Sequence, residues 1–336
     1  MSQPRRTSAI LLLILCVAAL CALPWLLPPG QLVAAVQMLI AALFACAFNL
    51  LAGQGGMLSF GHAAYFGVGT FATIHAMNAL GGAGLLPTPL MPLAGGVAGL
   101  LFGLVAGWFA TMRAGVYFSM ITLALAQMVY FVCVQAPFTG AEDGLQRIPR
   151  HSFLGLVGLT DDRAMYAFLL VILLAVVWGL QRLMEAPYGQ VLLAIRDNEP
   201  RAISLGYDVQ NYKLSAFAIS AAIAGLAGGT KALALGFAGL PDAHWTQSGN
   251  VILMCLLGGL GTPLGPIVGA ILIVTLESKL SDIGVIALGP FSLDLSTKVP
   301  IAVGLIFMIC VMLFRRGIVG EIQALIERRK AAAAKS

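Results

Sequence analysis

Long apolar runs, separated by short polar or glycine- and proline-rich interruptions, dominate the chain. A helix needs about 20 predominantly apolar residues to cross the hydrocarbon core of a bilayer. The runs predict eight full crossings, at Ala9–Leu27, Leu32–Leu51, Ala63–Leu80, Leu90–Met112, Val116–Ala136, Ala164–Leu183, Leu214–Leu235 and Lys298–Phe314. The pattern therefore predicts an all-α polytopic membrane protein.

The first run follows Arg5 and Arg6, as the core of a cleaved signal peptide would. At about 19 residues, Ala9–Leu27 is longer than a usual signal core and sufficient to span a bilayer. No convincing cleavage site follows, and residues 28–30 predict a turn. We therefore expect a retained first helix.

One apolar stretch, Asn250–Thr275, is interrupted at its centre by the glycine-rich run Gly258–Pro266. Counted as one crossing, it would leave the basic end of the chain on the wrong side. Two half-helices of about 13–15 Å each would instead dip to mid-bilayer and return. Irregular backbone at that depth persists only where protein buries it or where it lines a wet cavity. The run predicts a broken or re-entrant element facing a passage.

A second interruption, Asn49–His62, breaks the apolar pattern in the first half of the chain. Paired interruptions in the two halves point to the passage of a transporter, although both could be ordinary turns between helices. His62 could line the passage or only bond a neighbouring helix, and the structural role is favoured. The candidate passage-lining residues are Ser59, Phe60, His62, Gly258, Gly259, Gly261 and Thr262.

Composition supports the membrane assignment, since 60% of the 336 residues are hydrophobic, only 10% are charged and the mean hydropathy is +0.94. Soluble domains carry about 25% charged residues. Lysine and arginine accumulate on the cytoplasmic side of membrane proteins. Both termini are therefore predicted to be cytoplasmic, because basic residues cluster at Arg5, Arg6, Arg315, Arg316, Arg328, Arg329, Lys330 and Lys335.

Candidate chemistry is sparse. The six cysteines lie in apolar runs, the four histidines are scattered, and neither set has the spacing of metal ligands. No Ser/His/Asp set, paired carboxylates or glycine-rich phosphate loop is present, so no catalytic residue, metal or cofactor is expected. Basic residues interleaved with aromatics, as nucleic-acid binding requires, are also missing. The sequence favours a passage over an enzyme.

Small residues recur at helical spacing in the fourth predicted crossing, at Gly95, Gly99, Gly103 and Gly107. Such a face lets helix backbones approach closely in lipid. The stripe predicts tight packing against another helix, within the chain or in a partner.

The segment 184–213 is the longest predicted between crossings on the cytoplasmic side. Asp197 or Asn198 is a favourable N-cap, and Pro200 is tolerated in a first helical turn. Gly206 is well placed to end the helix. The result is a helix of about two turns, too short to be stable alone in water. It needs a partner surface, either another loop of this chain or another protein.

At this point the sequence resembles the permeases of branched-chain amino acid ABC importers, of the LivM type. The resemblance runs from about Asn49 to Leu276. It is carried first by the motif AIRDNE at 194–199, with Gly206 downstream. The other matching segments are residues 55–63, 212–228 and 258–270, together with Gly144-Leu145 and Ile148-Pro149.

The resemblance implies a multi-pass protein of the bacterial inner membrane that forms a pore with a sister permease, as a heterodimer. Two cytoplasmic ATPase subunits would hydrolyse ATP, and a periplasmic binding protein would deliver the amino acid. The short cytoplasmic helix would dock on an ATPase. By carry-over, the coupling residues are Arg196, Asp197, Glu199, Ala202 and Gly206.

The same resemblance divides the chain into a transmembrane permease domain, 1–314, and a basic cytoplasmic tail, 315–336. Within the first part, 137–163 is the predicted outer loop and 184–213 the predicted coupling loop.

Alternatives remain at this stage. Closely similar permeases carry urea or short amides. A secondary transporter would need buried carboxylates as ion sites, of which the predicted helix interiors hold almost none, and a scaffold or membrane enzyme has less support. Lys231, where the family suggests a neutral residue, either extends to the membrane interface or places a charge beside the substrate path.

Overall fold

The computed structural model describes residues 20, 23–25, 28–81, 87–146, 161–283, 285–288, 291–294, 299–313, 317–322 and 324. The helices in these ranges are α1 (Pro29–Asn49), α2 (His62–Ala76), α3 (Met91–Ala110), α4 (Val116–Gln135), α5 (Asp162–Glu185), α6 (Pro187–Asp197), α7 (Glu199–Ser204), α8 (Val209–Leu235), α9 (Trp245–Gly258), α10 (Gly265–Ile283) and α11 (Val299–Leu313). Two short antiparallel pairs join β1 (Leu145–Gln146) to β2 (Phe237–Ala238) and β3 (Val285–Leu288) to β4 (Phe291–Asp294).

Long apolar helices account for most of the predicted crossings. In the part of the chain that the structure describes, five segments are long and apolar enough to cross a membrane. They are Gly30–Gln54, Thr88–Ala110, Val116–Gln135, Asp162–Glu185 and Val209–Leu235. Each coincides with a predicted crossing, so the polytopic all-α class is confirmed.

Three other predicted crossings are not among these five segments. Ala63–Leu80 holds α2, which has 15 residues and continues into a π-turn at Met77–Gly81. Lys298–Phe314 holds α11, also 15 residues. α2 and this π-turn form one continuous helical stretch of 20 residues, and the residues on both sides of α11 lie outside the described ranges, so these two crossings stay predictions. Most of Ala9–Leu27 lies outside the described residues.

The buried core centres on α2 and α8, and the predicted glycine stripe of α3 packs against α8. A Cβ atom added at Gly99 would lie 2.5 Å from the Ala221 carbonyl oxygen, and one at Gly95 would lie 2.7 Å from that of Gly225. Only glycine allows the two backbones to touch in this way, and such contacts stabilise helix pairs in lipid. The predicted tight packing is confirmed, and its partner is a helix of the same chain.

We call the end of the bundle that carries α6 and α7 the α6–α7 face. The α3–α4 turn lies at this face, because Gln210 at the start of α8 donates to the Thr111 hydroxyl at 2.9 Å. The β1–β2 pair lies at the opposite end, where α4 and α8 finish. Successive helices therefore alternate in direction through the bundle.

The predicted break within Asn250–Thr275 is present, but the two helices that flank it are longer than the predicted half-helices of about 13–15 Å. In place of Asn250–Thr275 the structure has α9 and α10, with 14 and 19 residues, or about 21 Å and 28 Å. The glycine-rich connection between them lies at the α6–α7 face. α9 begins at Trp245, before the apolar run, and its first turn includes polar residues. α9 runs toward the α6–α7 face and α10 runs away from it. After α11 the chain is again at this face, where Gly317 packs against Gly259.

Candidate functional site

The first interruption is a π-turn, Leu50–Gln54, followed by irregular backbone up to α2. We call residues 50–61 the first break. Hydroxyl groups from neighbouring helices satisfy its backbone, since the Ser119 hydroxyl donates to the Leu58 carbonyl at 2.6 Å and the Phe60 amide donates to Thr122 Oγ1 at 3.2 Å. Backbone polar groups inside a membrane protein need such partners where water is excluded. The predicted break is confirmed.

His62 begins α2 and is 1% exposed. Its Nε2 lies 2.9 Å from the Ser220 Oγ, and that hydroxyl donates to the Ala47 carbonyl at 2.6 Å. Because the serine proton is used, Nε2 carries the imidazole proton and donates to Ser220, which leaves Nδ1 without a partner. In this conformation His62 joins α1, α2 and α8, which is the structural role that the sequence favoured.

Ser59 and Phe60 also hold the first break in place. Ser59 is fully buried, and its Oγ accepts from the Gly61 amide at 3.2 Å. Phe60 is half-buried and packs against the main hydrophobic core. Neither side chain is free in this conformation.

The second interruption, residues 259–264 between α9 and α10, is called the second break. Gly259 (φ +119°) and Gly261 (φ +81°) adopt backbone angles that other residues strongly disfavour. Thr262 Oγ1 donates to the Gly259 carbonyl at 2.7 Å and accepts from the Gly265 amide at 3.0 Å. Gly258 is buried where α9 meets α10. Thr262 thus shapes the turn.

Three side-chain hydrogen bonds join the second break to the end of α1 and to the first break. Asn49 Oδ1 accepts from the Gly261 amide at 2.8 Å, and Asn49 Nδ2 donates to the Thr262 carbonyl at 3.1 Å. Gln54 Nε2 donates to the Gly261 carbonyl at 2.9 Å. The breaks therefore form one unit although they lie about 200 positions apart. Neither Asn49 nor Gln54 is among the site residues selected from sequence, although amide side chains that flank a break in apolar sequence are a signal for them.

The short helix predicted at the coupling segment is confirmed as α7. Asn198 is its N-cap, with Oδ1 accepting from the Arg201 amide at 3.1 Å. Gly206 ends it at φ +86°, where its amide donates to the Ile203 carbonyl at 2.9 Å. This arrangement satisfies carbonyl groups at the end of the helix.

The two faces of α7 differ. Ala202 is 3% exposed and packs with Ile195 and Val209, so it attaches α7 to the bundle and does not face a partner. Ile203 and Leu205 are 58% and 68% exposed and face outward. Ala202, which the resemblance assigns to coupling, is thus turned inward, and its part in coupling stays a prediction.

A helix that the sequence analysis did not predict, α6, precedes α7. The Tyr188 hydroxyl in its first turn lies 2.8 Å from the Ser215 Oγ of α8, and its ring stacks on Tyr212 with centroids 5.5 Å apart. Burial raises the pKa of the Tyr188 hydroxyl. These contacts hold α6 against α8.

Charged residues of the coupling segment connect it to the bundle. Arg196 Nη1 donates to the Gly53 carbonyl of the first break at 2.8 Å, and its Nε and Nη2 donate to Asp197 Oδ1 at 3.2 and 3.1 Å. Glu199 of α7 pairs with Lys213 of α8 at 2.6 Å, and the lysine side chain is only 10% exposed. Arg196, Asp197 and Glu199 thus lie together, next to the first break.

Lys231 lies near the opposite end of α8, where its ammonium group is bound by neighbouring residues of the chain. Its Nζ pairs with Asp242 Oδ2 at 2.6 Å and donates to the Phe237 carbonyl at 3.2 Å. The two charged side chains are only 13% and 7% exposed. Asp242, which also accepts from the Gly239 amide, was missed because it follows a helix end in sequence and becomes a partner only through folding.

Long apolar helices, backbone-to-backbone packing and two irregular segments bound to each other define an α-helical membrane transport protein. Within the described ranges, no group of three or more His, Cys, Asp or Glu side chains could hold a metal ion. The model of the family described as "Branched-chain amino acid transport system / permease component" matches residues 32–315. The chain belongs to this family.

Named relatives agree with this assignment. The chain is 28% identical, over 77% of its length, to "High-affinity branched-chain amino acid transport system permease protein LivM" of Escherichia coli, of which it covers 65%. It is 28% identical to "Autoinducer 2 import system permease protein LsrC" of Salmonella paratyphi B, over 55% of the chain and 54% of the relative. It is also 28% identical to "Xylose transport system permease protein XylH" of E. coli, over 44% of the chain and 39% of the relative. A search of solved structures gave no significant match.

Proposed function

We propose that this chain is a permease subunit of an ATP-driven ABC importer for branched-chain or related amino acids. The observation that carries the proposal is the hydrogen bond from Arg196 to the Gly53 carbonyl. It joins a segment at the end of the bundle to the first break, and through Asn49 and Gln54 to the second. A pump driven by partner subunits needs such a connection between its docking segment and its passage.

Docking would use the outward face of α7, which presents Ile203 and Leu205 beside Arg201. A helix of six residues is not stable alone, so movement of its partner surface would carry it as a rigid piece. The Glu199–Lys213 pair transmits that movement to α8, and Arg196 transmits it to the first break. The passage would open as the two breaks shift together.

The partners follow from this arrangement and from the family. Two cytoplasmic ATPase subunits supply the hydrolysis of ATP, a sister permease forms the other half of the pathway, and a periplasmic binding protein delivers the substrate. The α6–α7 face is then cytoplasmic in the bacterial inner membrane. Gly317 lies at this face, which is consistent with a cytoplasmic basic tail at 315–336.

The substrate class rests on the LivM relative, whose printed name refers to branched-chain amino acids. LsrC and XylH are named for autoinducer 2 and xylose, so similar permeases belong to systems for different solutes. Urea and short amides therefore stay as alternatives. Ion-gradient coupling has little support, since Asp242, the one buried carboxylate among the described residues, is already paired with Lys231.

The test is purification of the chain from native membranes with its bound proteins, followed by reconstitution into liposomes. We expect a second permease and two ATPases to co-purify, and ATP to drive uptake of leucine or valine without an ion gradient. Recovery of the chain alone, with uptake that an ionophore abolishes while ATP is present, would overturn the proposal.

A further inference from the structure

A polar cavity of about 380 Å³ opens at the α6–α7 face, outside the contact between the two breaks. Its walls come from three parts of the chain: residues 55–58 of the first break, residues 113–119 at the α3–α4 turn and the start of α4, and side chains of the coupling segment and α8. It is distinct from the outward face of α7, because Ile203 and Leu205 do not line it.

The charge that lines this cavity is unbalanced. Arg113, Arg196 and Lys213 contribute three positive charges. Glu199 on the wall and Asp197, which pairs with Arg196, contribute two negative charges, which leaves an excess of one. Arg196 and Lys213 already have carboxylate partners. Among the residues that the structure describes, Arg113 makes no ion pair or side-chain hydrogen bond. An anionic ligand would complete the cavity.

The start of α4 adds to this positive character. Gly115 precedes the helix at φ +65°, and no side chain caps the amide groups of the first turn. The unpaired amides and the dipole of this 20-residue helix favour negative charge at its N-terminus. Val116 and Phe118 of the first turn line the cavity, so these amides lie beside it.

Exposed apolar side chains lie beside the mouth of the cavity, in the α3–α4 turn and along the start of α4. Met112, Val116, Tyr117 and Met120 are between 50% and 74% exposed. We call these four residues the α4 collar; Val116 belongs both to the collar and to the cavity wall. A tyrosine among apolar side chains at the end of a crossing is typical of the membrane–water interface. The cavity therefore opens where lipid headgroups meet acyl chains.

We propose that this cavity binds the phosphodiester headgroup of an anionic phospholipid from the leaflet on the α6–α7 side. Arg113 pairs with the phosphate, the start of α4 donates to it, and the acyl chains lie along the α4 collar. Basic pockets between transmembrane helices bind anionic headgroups on the same physical grounds. The proposal needs only the membrane placement and holds whichever solute the chain carries.

The position of the site has a consequence for coupling. Arg196, Glu199 and Lys213 line the cavity and also connect the coupling segment to the bundle. A bound anion would offset the excess positive charge next to these contacts and hold Arg113 in place. Anionic lipid therefore stabilises the state in which the coupling segment is bound to the first break and to α8.

The test is native mass spectrometry of the purified full-length chain, titrated with phosphatidylglycerol or with phosphatidylcholine of the same acyl chains. We expect tighter binding of phosphatidylglycerol, and an increase of about fivefold in its Kd for Arg113→Gln, as loss of about 1 kcal/mol per cation predicts. Arg182→Gln is the matched control, because Arg182 is 75% exposed at the end of α5 and does not line the cavity.

Three results would overturn the proposal. One is equal binding of the two lipids, and another is the same Kd change in both arginine variants. The third is displacement of phosphatidylglycerol by millimolar inorganic phosphate with the same dependence on Arg113, which would assign the cavity to a free anion. A separate pull-down in which Arg113→Gln loses a partner protein but retains lipid would assign it to an acidic side chain of that partner.

Discussion

The guanidinium of Arg196 donates a hydrogen bond to the carbonyl oxygen of Gly53 at 2.8 Å, across 143 positions of sequence. Arg196 belongs to the segment that the family resemblance assigns to coupling, and Gly53 lies in the first break. Since Gly53 also touches Gly261, a displacement of Arg196 acts on both breaks. A coupling residue selected from sequence is thus bound to the first break, at a position that was not among the selected passage residues.

Replacement of Arg196 by glutamine should uncouple the transporter. A hydrogen bond from a charged donor contributes about 1.5–3 kcal/mol, so its loss predicts a decrease of at least tenfold in ATP-driven uptake. ATP hydrolysis by the assembled complex should persist. Both rates are measured in proteoliposomes, with Arg182→Gln as control. Unchanged uptake per ATP hydrolysed in Arg196→Gln would show that this bond does not transmit movement.

Removal of the Glu199 carboxylate should destabilise the attachment of α7. Glu199→Ala leaves the Lys213 ammonium, 10% exposed, without its partner, at a cost of about 1–3 kcal/mol. We expect a lower Tm of the purified chain. Glu185→Ala is the matched control, since its ion pair with Arg182 is 4.0 Å long and exposed, and such pairs contribute about 0–1 kcal/mol. Equal Tm shifts in the two variants would contradict a special role for Glu199.

The effect of a substitution at Gly206 should depend on whether the new residue tolerates a positive φ, and not on the space available for its side chain. Its φ of +86° is disfavoured for residues with a Cβ atom, yet nothing lies within 4 Å of an added Cβ. Gly206→Val should therefore unwind the end of α7 and reduce uptake strongly, with assembly intact. Gly206→Asn should retain most uptake, because asparagine tolerates positive φ. Similar uptake of the two variants in proteoliposomes would argue against this account.

Local features of the site could be predicted from sequence. The Asn198 cap and the Gly206 end of α7 follow from side-chain and backbone preferences that act over a few residues. The glycine stripe of α3 has the spacing of a packing face, and its partner α8 supplies Gly225 and Ala221. Such features are confirmed because neighbours in sequence determine them.

Long-range features could not be predicted in this way. Asn49 bonds Thr262 across 213 positions, and nothing near either residue specifies the other. The ends of α9 and α10 were misjudged because both helices include polar or charged residues outside the apolar run, such as those in the first turn of α9, which the local His244 side chain caps. Lys231 was considered without Asp242 for the same reason.

An added methyl group at Gly53 should disrupt the contact between the breaks. A Cβ there would lie 2.6 Å from the Gly261 amide nitrogen and 2.8 Å from its Cα, backbone atoms that cannot move without shifting the second break. Overpacking of this kind costs about 1–3 kcal/mol. Gly53→Ala should lower both Tm and uptake. Gly179→Ala in α5, where the added Cβ meets nothing within 4 Å, should not lower Tm. Full uptake by Gly53→Ala would show that the contact is dispensable.

The Lys231–Asp242 pair should behave as one unit. Removing either partner of a buried ion pair leaves an uncompensated charge and costs about 3–5 kcal/mol, whereas removing both costs much less. We therefore expect Lys231→Met and Asp242→Asn each to lower the Tm of the purified chain strongly, and the double variant to recover most of the loss. The double-mutant cycle measures this coupling directly.

The same double-mutant cycle, measured as uptake, distinguishes a structural role of the Lys231 charge from an action on the substrate. If Lys231 only holds the turn that begins α9, the double variant recovers uptake together with Tm, since the neutral pair leaves no buried charge unpaired. If Lys231 attracts the substrate, the double variant recovers Tm while uptake stays low, because the positive charge is gone in both variants. The contacts of Lys231 with Asp242 and with the Phe237 carbonyl occupy its ammonium group, so we expect the first result.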